Sequence, residues 1–219
     1  LFHIGQGMRH GKEEFEKFID SVQIPFVTAR NANDICDWSH PLLVGRPGTF
    51  AQRGANFAVQ RCDLYIAVGT RLSLTQTGYN SKDYARNAQI IQVDIDKAEL
   101  DKGTLRDPIK ICMDAKEFIT KLHDEWHKPT TNDRVQWSEW TRWVQYDPWL
   151  KKCQSWKERY PVCLPEYEHE KNFVNSFYFF NVLSDLATPE DTVVTDMGFA
   201  FQNTHQAWKT KKGQRVLTN

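Results

Sequence analysis

Two apolar runs, Leu64–Val68 and Ile90–Val93, constrain this chain more than anything else in it. Both have the length and β-branched content of strands, and neither alternates apolar with polar residues. A strand without alternation is covered on both faces, which is the pattern of a parallel sheet lying between helices. Each run ends in groups suited to a ligand: Gly69-Thr70-Arg71 after the first and Asp94 after the second. In open α/β sheets ligands sit beyond the carboxyl ends of the strands, so a nucleotide is expected there.

The flanking sequence repeats the alternation. Leu1–Ile4, Phe26–Ala29, Leu42–Val44 and Ile109–Cys112 read as four more strands. Phe15, Phe18, Ile19 and Val22 fall at helical spacing within Lys12–Val22. Arg53–Arg61 reads as a second helix and Lys116–Trp126 as a third, with Phe118, Ile119, Leu122 and Trp126 inward. Strand and helix in alternation predict an α/β fold with a doubly wound, six-stranded parallel sheet over residues 1–128. Lys128-Pro129-Thr130-Thr131-Asn132 marks a boundary. Beyond it, residues 129–170 are expected to form a Trp-rich helical connection. Asp133 would cap a helix carrying Trp137, Trp140 and Val144, and Pro148 starts another with Trp149, Cys153, Trp156 and Tyr160 on one side. These tryptophans are expected to form a packing face rather than a stacking platform for a ligand. Residues 171–219 open a second α/β pattern: helix Val174–Leu186, strand Thr192–Thr195, a polar helical stretch and strand Arg215–Leu217. So short a segment is expected to be only part of a domain.

Composition narrows the function. The 28 basic residues balance the 28 acidic ones, so no basic field exists for nucleic acid, and no apolar run is long enough to span a bilayer. The first residues carry no charged leader, so no signal peptide is expected. Five cysteines (36, 62, 112, 153, 163) are scattered without a CxxC pair, which fits reduced thiols and a cytoplasmic location. The seven histidines show no metal spacing, and neither a Walker loop nor a nucleophile elbow occurs. No catalytic base, nucleophile or metal ligand stands out.

Individual motifs are weak. Gly5-Gln6-Gly7 resembles the start of a dinucleotide loop without its third glycine, and a plain strand-to-helix turn explains it as well. An NAD-dependent dehydrogenase would need that complete fingerprint. Arg71 suits a phosphate through its planar fork, or a surface ion pair. Asp94 is placed to accept from ribose hydroxyls, Asp96 to cap the turn Lys97–Leu100, and Asp114 to do either.

Taken in order, IGQGM, IPFVTA, HPLLVGRPGTFAQRGANFAVQRCDLYIAVGTRL, IIQVDIDKAEL, DTVVTDMG and GQRVLTN resemble the thiamine-diphosphate-dependent enzymes of the acetohydroxyacid synthase group. The likeness covers almost the whole chain. It implies the central domain, the connection and the start of the diphosphate-binding domain of a longer enzyme. In that family the activating glutamate lies in a preceding domain and the Gly-Asp-Gly…Asn metal motif lies further along. The 219 residues alone are therefore expected to be inactive. The resemblance implies thiamine diphosphate and magnesium as cofactors, and FAD, ADP or nothing in the central domain. Gly5, Gln6 and Gly7 match the first flavin loop and Gly48 the second. Gly69, Thr70 and Arg71 match the loop whose arginine reaches the flavin, and Asp94, Ile95, Asp114 and Ala115 match adenosine contacts. Gly198, Phe199 and Ala200 match the start of the diphosphate contacts.

The departures are specific. Arg46-Pro47 replaces the family's Met-His, Ser73, Leu74 and Thr75 replace charged residues, and Phe199-Ala200-Phe201 replaces Gln-His-Gln. These spellings look closer to acetolactate-synthase-like proteins of polysaccharide biosynthesis, some of which use a nucleotide-linked keto sugar as acceptor. The resemblance implies a carboligase or decarboxylase acting on pyruvate or another 2-keto acid, assembled as a homodimer or homotetramer. The competing expectation is a module that keeps a nucleotide site and has lost catalysis, as a scaffold or regulatory subunit.

Overall fold

The structure is a computed structural model and describes residues 1–128 and 148–218. The helix expected to carry Trp137, Trp140 and Val144 lies outside them. Six strands form one sheet: β1 (Phe2–Ile4), β2 (Phe26–Thr28), β3 (Leu43–Gly45), β4 (Leu64–Val68), β5 (Gln89–Asp94) and β6 (Ile109–Cys112). Their order is β3-β2-β1-β4-β5-β6 and every pairing is parallel. The chain thus starts in the middle of the sheet, winds outward to β3, crosses back, and winds the other way to β6. This is the doubly wound sheet that the sequence predicts.

The unbroken apolar character of β4 follows from where its side chains go. Successive Cβ atoms point to opposite faces. Tyr65 and Ala67 enter the core on one side, while Ile66 and Val68 face the other. On that second face lie α1 (Lys12–Val22) and α5 (Ala115–Trp126), contributing Phe15, Phe18, Ile19, Val22 and Ile119. Glu13 and Glu14 sit in the first turn of α1, favourable at the positive end of the helix. It ends where Gln23 turns left-handed (φ 55°) and returns its N–H to Ile19 O, just before Pro25. The Trp126 ring closes this side edge-on to Phe18 at 6.5 Å.

The opposite face is covered by α2 (Arg53–Arg61) and α6 (Pro148–Arg159). A Cβ on Gly54 would lie 3.1 Å from the Trp156 backbone, so glycine lets these two helices meet main chain to main chain. Trp149, Cys153 and Trp156 face that junction, and Phe57 packs on Trp156 and Tyr160 at 5.8 and 5.3 Å. The described tryptophans of the connection therefore pack against protein. Two short helices, α3 (Leu74–Thr77) and α4 (Lys97–Asp101), border β4 and β5, and a 3₁₀ turn over Gln6–Gly11 stands where a simple tight turn was expected.

A second, two-stranded parallel sheet pairs β7 (Thr192–Thr195) with β8 (Arg215–Thr218). It accompanies α7 (Ser176–Leu186) and α8 (Phe199–Ala207). Helix α7 begins two residues later than predicted because Asn175 caps it, accepting from the Phe177 and Tyr178 N–H groups. Two buried polar groups join this unit to the large sheet. The Asp34 carboxylate, fully buried, receives Arg9 at 2.9 Å, Arg215 at 3.3 Å and the Val216 N–H at 3.2 Å. The Arg46 guanidinium donates to the carbonyls of His205 and Trp208 and to Thr210 Oγ1, at 2.8–3.1 Å. A cation at the last turn of α8 also complements its dipole. No helix among the described residues is long and apolar enough to cross a membrane.

Inside the sheet His3 Nδ1 meets the Tyr65 hydroxyl, which meets Tyr84 Oη at 3.1 Å. Burial holds the His3 imidazole down at about 3. Burial, with the charges of Arg46 and Arg30, holds His205 well below its ordinary value. Both are neutral in the fold at neutral pH, whereas the unfolded chain takes up protons below about pH 6.5. Their contribution to stability is therefore complete above that pH and is lost as pH falls toward the folded values. Urea unfolding is expected to be flat above about pH 7 and to weaken between pH 6.5 and 5, by up to about 1.4 kcal/mol per pH unit for each histidine. His3→Phe should remove its share of that slope, measured as the pH dependence of the unfolding free energy.

Candidate functional site

The carboxyl tips of the strands are stitched to one another by main-chain bonds. Gly5 N donates to Val68 O, Gly7 N to Gly69 O, and Gly69 N to Val93 O, each at 2.9 Å, and Met113 N reaches Asp94 O at 3.1 Å. The loops after β1 and β4 meet so closely that side chains do not fit. A Cβ on Gly5 would stand 2.2 Å from Gly69 O, and one on Gly69 would stand 2.9 Å from Gly7 Cα. Gly69 also has φ +57°, a conformation that side chains resist. Gly5 thus answers to packing and lies beneath the site rather than in it.

Above this junction opens a cavity of about 640 Å³, within the size range of cofactor sites. Gln6, Gly7, Gly69, Thr70, Arg71, Asp94, Ile95, Asp114 and Ala115 line it together. Nine of the residues singled out by sequence therefore share one crevice, at the point where the strand order reverses. Ala29, Arg30 and Asn31 complete the wall from the end of β2, and Gln76 and Glu99 from α3 and α4. The rule that selected the other strand tips applies equally to β2; Gln76 and Glu99 carried no such signal.

Much of the polar equipment is already engaged. Asp96 caps α4 through the Ala98 N–H, as expected. Asp114 caps α5 through the Lys116 and Glu117 N–H groups, which resolves its ambiguity toward a cap while leaving it on the cavity wall. Asp94 Oδ1 accepts from the Asp96 N–H at 3.0 Å. Arg71, 78% exposed, pairs through Nε with Glu99 at 2.8 Å, so the surface ion pair is present. The wall thus holds four carboxylates (Asp94, Asp96, Glu99, Asp114) and two guanidiniums (Arg30, Arg71). Carboxylates suit hydroxyl donors such as ribose. An anionic group would find its cation at Arg71 and open main chain at the glycines.

Gly48 stands apart. Its N–H and carbonyl are held by the Asn56 amide at 2.9 and 3.0 Å, and Gln76 Nε2 grips Pro47 O at 2.7 Å. The cavity beside it, shared with Arg30, Phe50 and Phe201, measures about 10 Å³, room for about one water. The neighbouring Arg46 side chain turns away into the protein, toward α8. Gly198, Phe199 and Ala200 lie on the second unit, where Gly198 (φ +77°) opens α8 without a side-chain cap. Phe199 is 79% exposed, but Phe201 is buried under the Arg30 guanidinium, 4.7 Å from its ring. The backbone amides at the start of α8 thus have no side-chain cap among them and could meet an anion. Among the described residues no cluster of three or more His, Cys, Asp or Glu is arranged to hold a metal.

Residues 1–122 match the family described as thiamine pyrophosphate enzyme, central domain. The chain is 30% identical over 210 residues to the acetolactate synthase large subunit of Cyanidium caldarium, covering 95% of this chain and 33% of that protein. It is 30% identical over 213 residues to the corresponding subunit of Parasynechococcus marenigrum, covering 95% of this chain and 30% of the relative. To the acetolactate synthase isozyme 2 large subunit of Escherichia coli it is 26% identical over 205 residues, 93% of this chain and 32% of the relative. The chain spans about a third of the length of the curated relatives it matches.

The contact between the two glycine loops predicts a sharp asymmetry among glycines. Gly5→Ala is expected to destabilise the protein by about 3 kcal/mol or more, because the new methyl group would fall 2.2–2.5 Å from Gly69 O and from Thr70 Cα and Cβ, none of which can swing aside. Gly103 has φ +68° but open space around it, so Gly103→Ala should lose only about 1 kcal/mol from backbone strain. Denaturant melts of the two variants make the comparison.

Proposed function

The chain belongs to the thiamine-diphosphate-dependent, acetolactate-synthase-like family, and we propose that it supplies three consecutive parts of a longer enzyme. Residues 1–128 are the central domain, 129–170 the connection and 171–219 the opening of the diphosphate-binding domain. The enzyme is a carboligase or decarboxylase acting on pyruvate or another 2-keto acid, with a nucleotide-linked keto sugar as the acceptor. The observation that carries this reading is the single crevice at the strand-order reversal, in a chain that aligns over 95% of its length with an acetolactate synthase large subunit.

Within that reading the crevice holds an adenine nucleotide, FAD or ADP. Asp94 accepts from the ribose, and Ile95, 70% exposed, offers an apolar surface for the adenine. Gly7, Gly69 and Thr70 let the diphosphate approach the main chain, and Arg71 balances its charge. The closed space at Gly48 favours ADP over a flavin ring on that side. The amides of Phe199 and Ala200, with Gly198 supplying the turn, hold the diphosphate of the thiamine cofactor. When bound, that cofactor supplies a nucleophilic carbon that adds to the keto group and accepts the electrons left as carbon dioxide departs. This chain's part is to bind and orient. The activating glutamate and the magnesium ligands come from other parts of the longer protein, and the site forms between subunits of a homodimer or homotetramer. Scattered thiols without a disulfide pattern support a cytoplasmic location.

The test uses the full-length protein. Carbon dioxide release from pyruvate that requires both thiamine diphosphate and magnesium is the expected result; no release from any 2-keto acid would leave a catalytically silent binding module instead. Acid extraction of the purified protein should yield ADP, or FAD with its yellow absorbance, and neither would remove the nucleotide from the reading. Arg71→Ala should weaken nucleotide binding by about tenfold, measured by titration.

A further inference from the structure

A second cavity, of about 220 Å³, lies away from the strand tips, where the connection meets both the large sheet and the second unit. Its walls are largely apolar, formed by Val44, Tyr160, Pro161 and Val162 with the edge of Trp38. Lys157, on α6, faces it with its ammonium 4.3 Å from the Trp38 ring centroid. That ammonium donates to Leu43 O at 3.1 Å and Trp38 O at 3.5 Å, both neutral acceptors. Among the described residues it forms no ion pair. The fully buried guanidinium of Arg46 lies 5.0 Å from the same indole, again with only neutral acceptors.

A buried and a half-buried cation thus share one tryptophan without a counter-anion among the described residues. Desolvation and mutual repulsion work against both, and an indole face offsets only part of this. Accordingly, burial and the Arg46 charge push the Lys157 ammonium down to about 8. The other lysine on the wall, Lys209, is already matched by Asp185 at 2.8 and 2.9 Å, so it offers no equivalent site. Asp37, next to Trp38 in the chain, is occupied by Ser39 and the Lys212 N–H.

We propose that this cavity is a binding site for a small monocarboxylate with an apolar body, its carboxylate on Lys157 Nζ and its tail against Val44, Tyr160 and Val162. The chemistry selects the class. Arg46 is not on the wall, so the one unmatched cation there, Lys157, calls for one negative charge, and a phosphate would leave further charge against apolar walls. The volume of about 220 Å³ leaves room for a short-chain acid. The Asn181 amide, also on the wall, is the second polar group available to it. Because α6, the β2–β3 loop and the second unit all contribute, an occupant would tie the three together.

The probe is hexanoate, whose flexible chain adapts to an irregular cavity, with hexanamide as its uncharged counterpart. Calorimetric titration of the full-length protein should show saturable hexanoate binding and a rise in melting temperature, and hexanamide should bind at least about tenfold more weakly. Lys157→Met should weaken hexanoate by a similar factor, and Lys157→Arg should retain it. The hexanoate–hexanamide comparison needs no variant, so it stands even where Lys157→Met fails to fold. Equal binding of the acid and the amide, unchanged affinity in a folded Lys157→Met variant, or no saturable binding at millimolar concentrations would overturn the proposal. None of these readouts depends on thiamine diphosphate or catalysis, so they separate this site from the assigned activity.

Discussion

Everything at the functional end of this protein depends on the apposition of two main-chain loops, Gly5–Gly7 after β1 and Gly69 after β4. The strands are neighbours in the sheet, but their onward connections leave on opposite faces. The chain after β1 enters α1 over the Phe15–Phe18 side, while the chain after β4 brings Leu72, Tyr84 and Ala85 onto the other. Divergence of that kind must leave a gap at the rim, and the gap becomes a site only if its floor is tight. Glycines provide the tightness: the Gly7 N–H reaches Gly69 O at 2.9 Å because neither residue holds the chains apart with a side chain. The floor is therefore rigid backbone, and the walls are whatever follows each strand.

The second constraint is the seam between the large sheet and the unit containing β7 and β8. Its anchors are buried and polar, an arrangement that adds little net stability but penalises any packing that separates the partners. Asp34 carries the point well. Breaking a buried charge cluster leaves an uncompensated ion, which typically costs about 3–5 kcal/mol, so alternative packings of β8 against this loop are strongly disfavoured. Arg46 acts the same way at the last turn of α8, where its fork needs the His205 and Trp208 carbonyls at fixed positions. The start of α8 is thereby held relative to the sheet by contacts at the helix's other end.

The sheet was legible because parallel strands carry a physical signature of double burial, seen most clearly at Leu64–Val68. The position of the crevice was legible for a related reason: strand tips at an order reversal must face one rim, so Gly7, Arg71, Asp94 and Asp114 could be grouped before any coordinates. What escaped were features created by tertiary contact alone. Nothing local distinguishes Arg46 from an exposed loop arginine, and it is only the arrival of α8, over a hundred residues later, that buries it. Asp34 and Lys157 are hidden for the same reason. The Gly5 motif was legible as a shape but not as a cause, since its missing side chain answers to Gly69 and Thr70 in a distant loop.

This distinction explains why unusual spellings can coexist with an intact architecture. A helix N-terminus offers main-chain amides whatever side chains it carries, so side chains at the start of α8 are free for other duties, and Phe201 is a buried ring beneath Arg30. Arg30 in turn fronts the strand-tip crevice, so a single guanidinium borders both the α8 unit and the large cavity. Phenylalanine at position 201 thus gives Arg30 an apolar, π-bearing partner at the boundary between the two. The Gly48 loop, pinned by Asn56 and Gln76, closes the remaining passage beside it. Arg30 is thus a wall of the strand-tip crevice whose partner is a ring on the second unit, so the shape of that crevice depends on how α8 is seated.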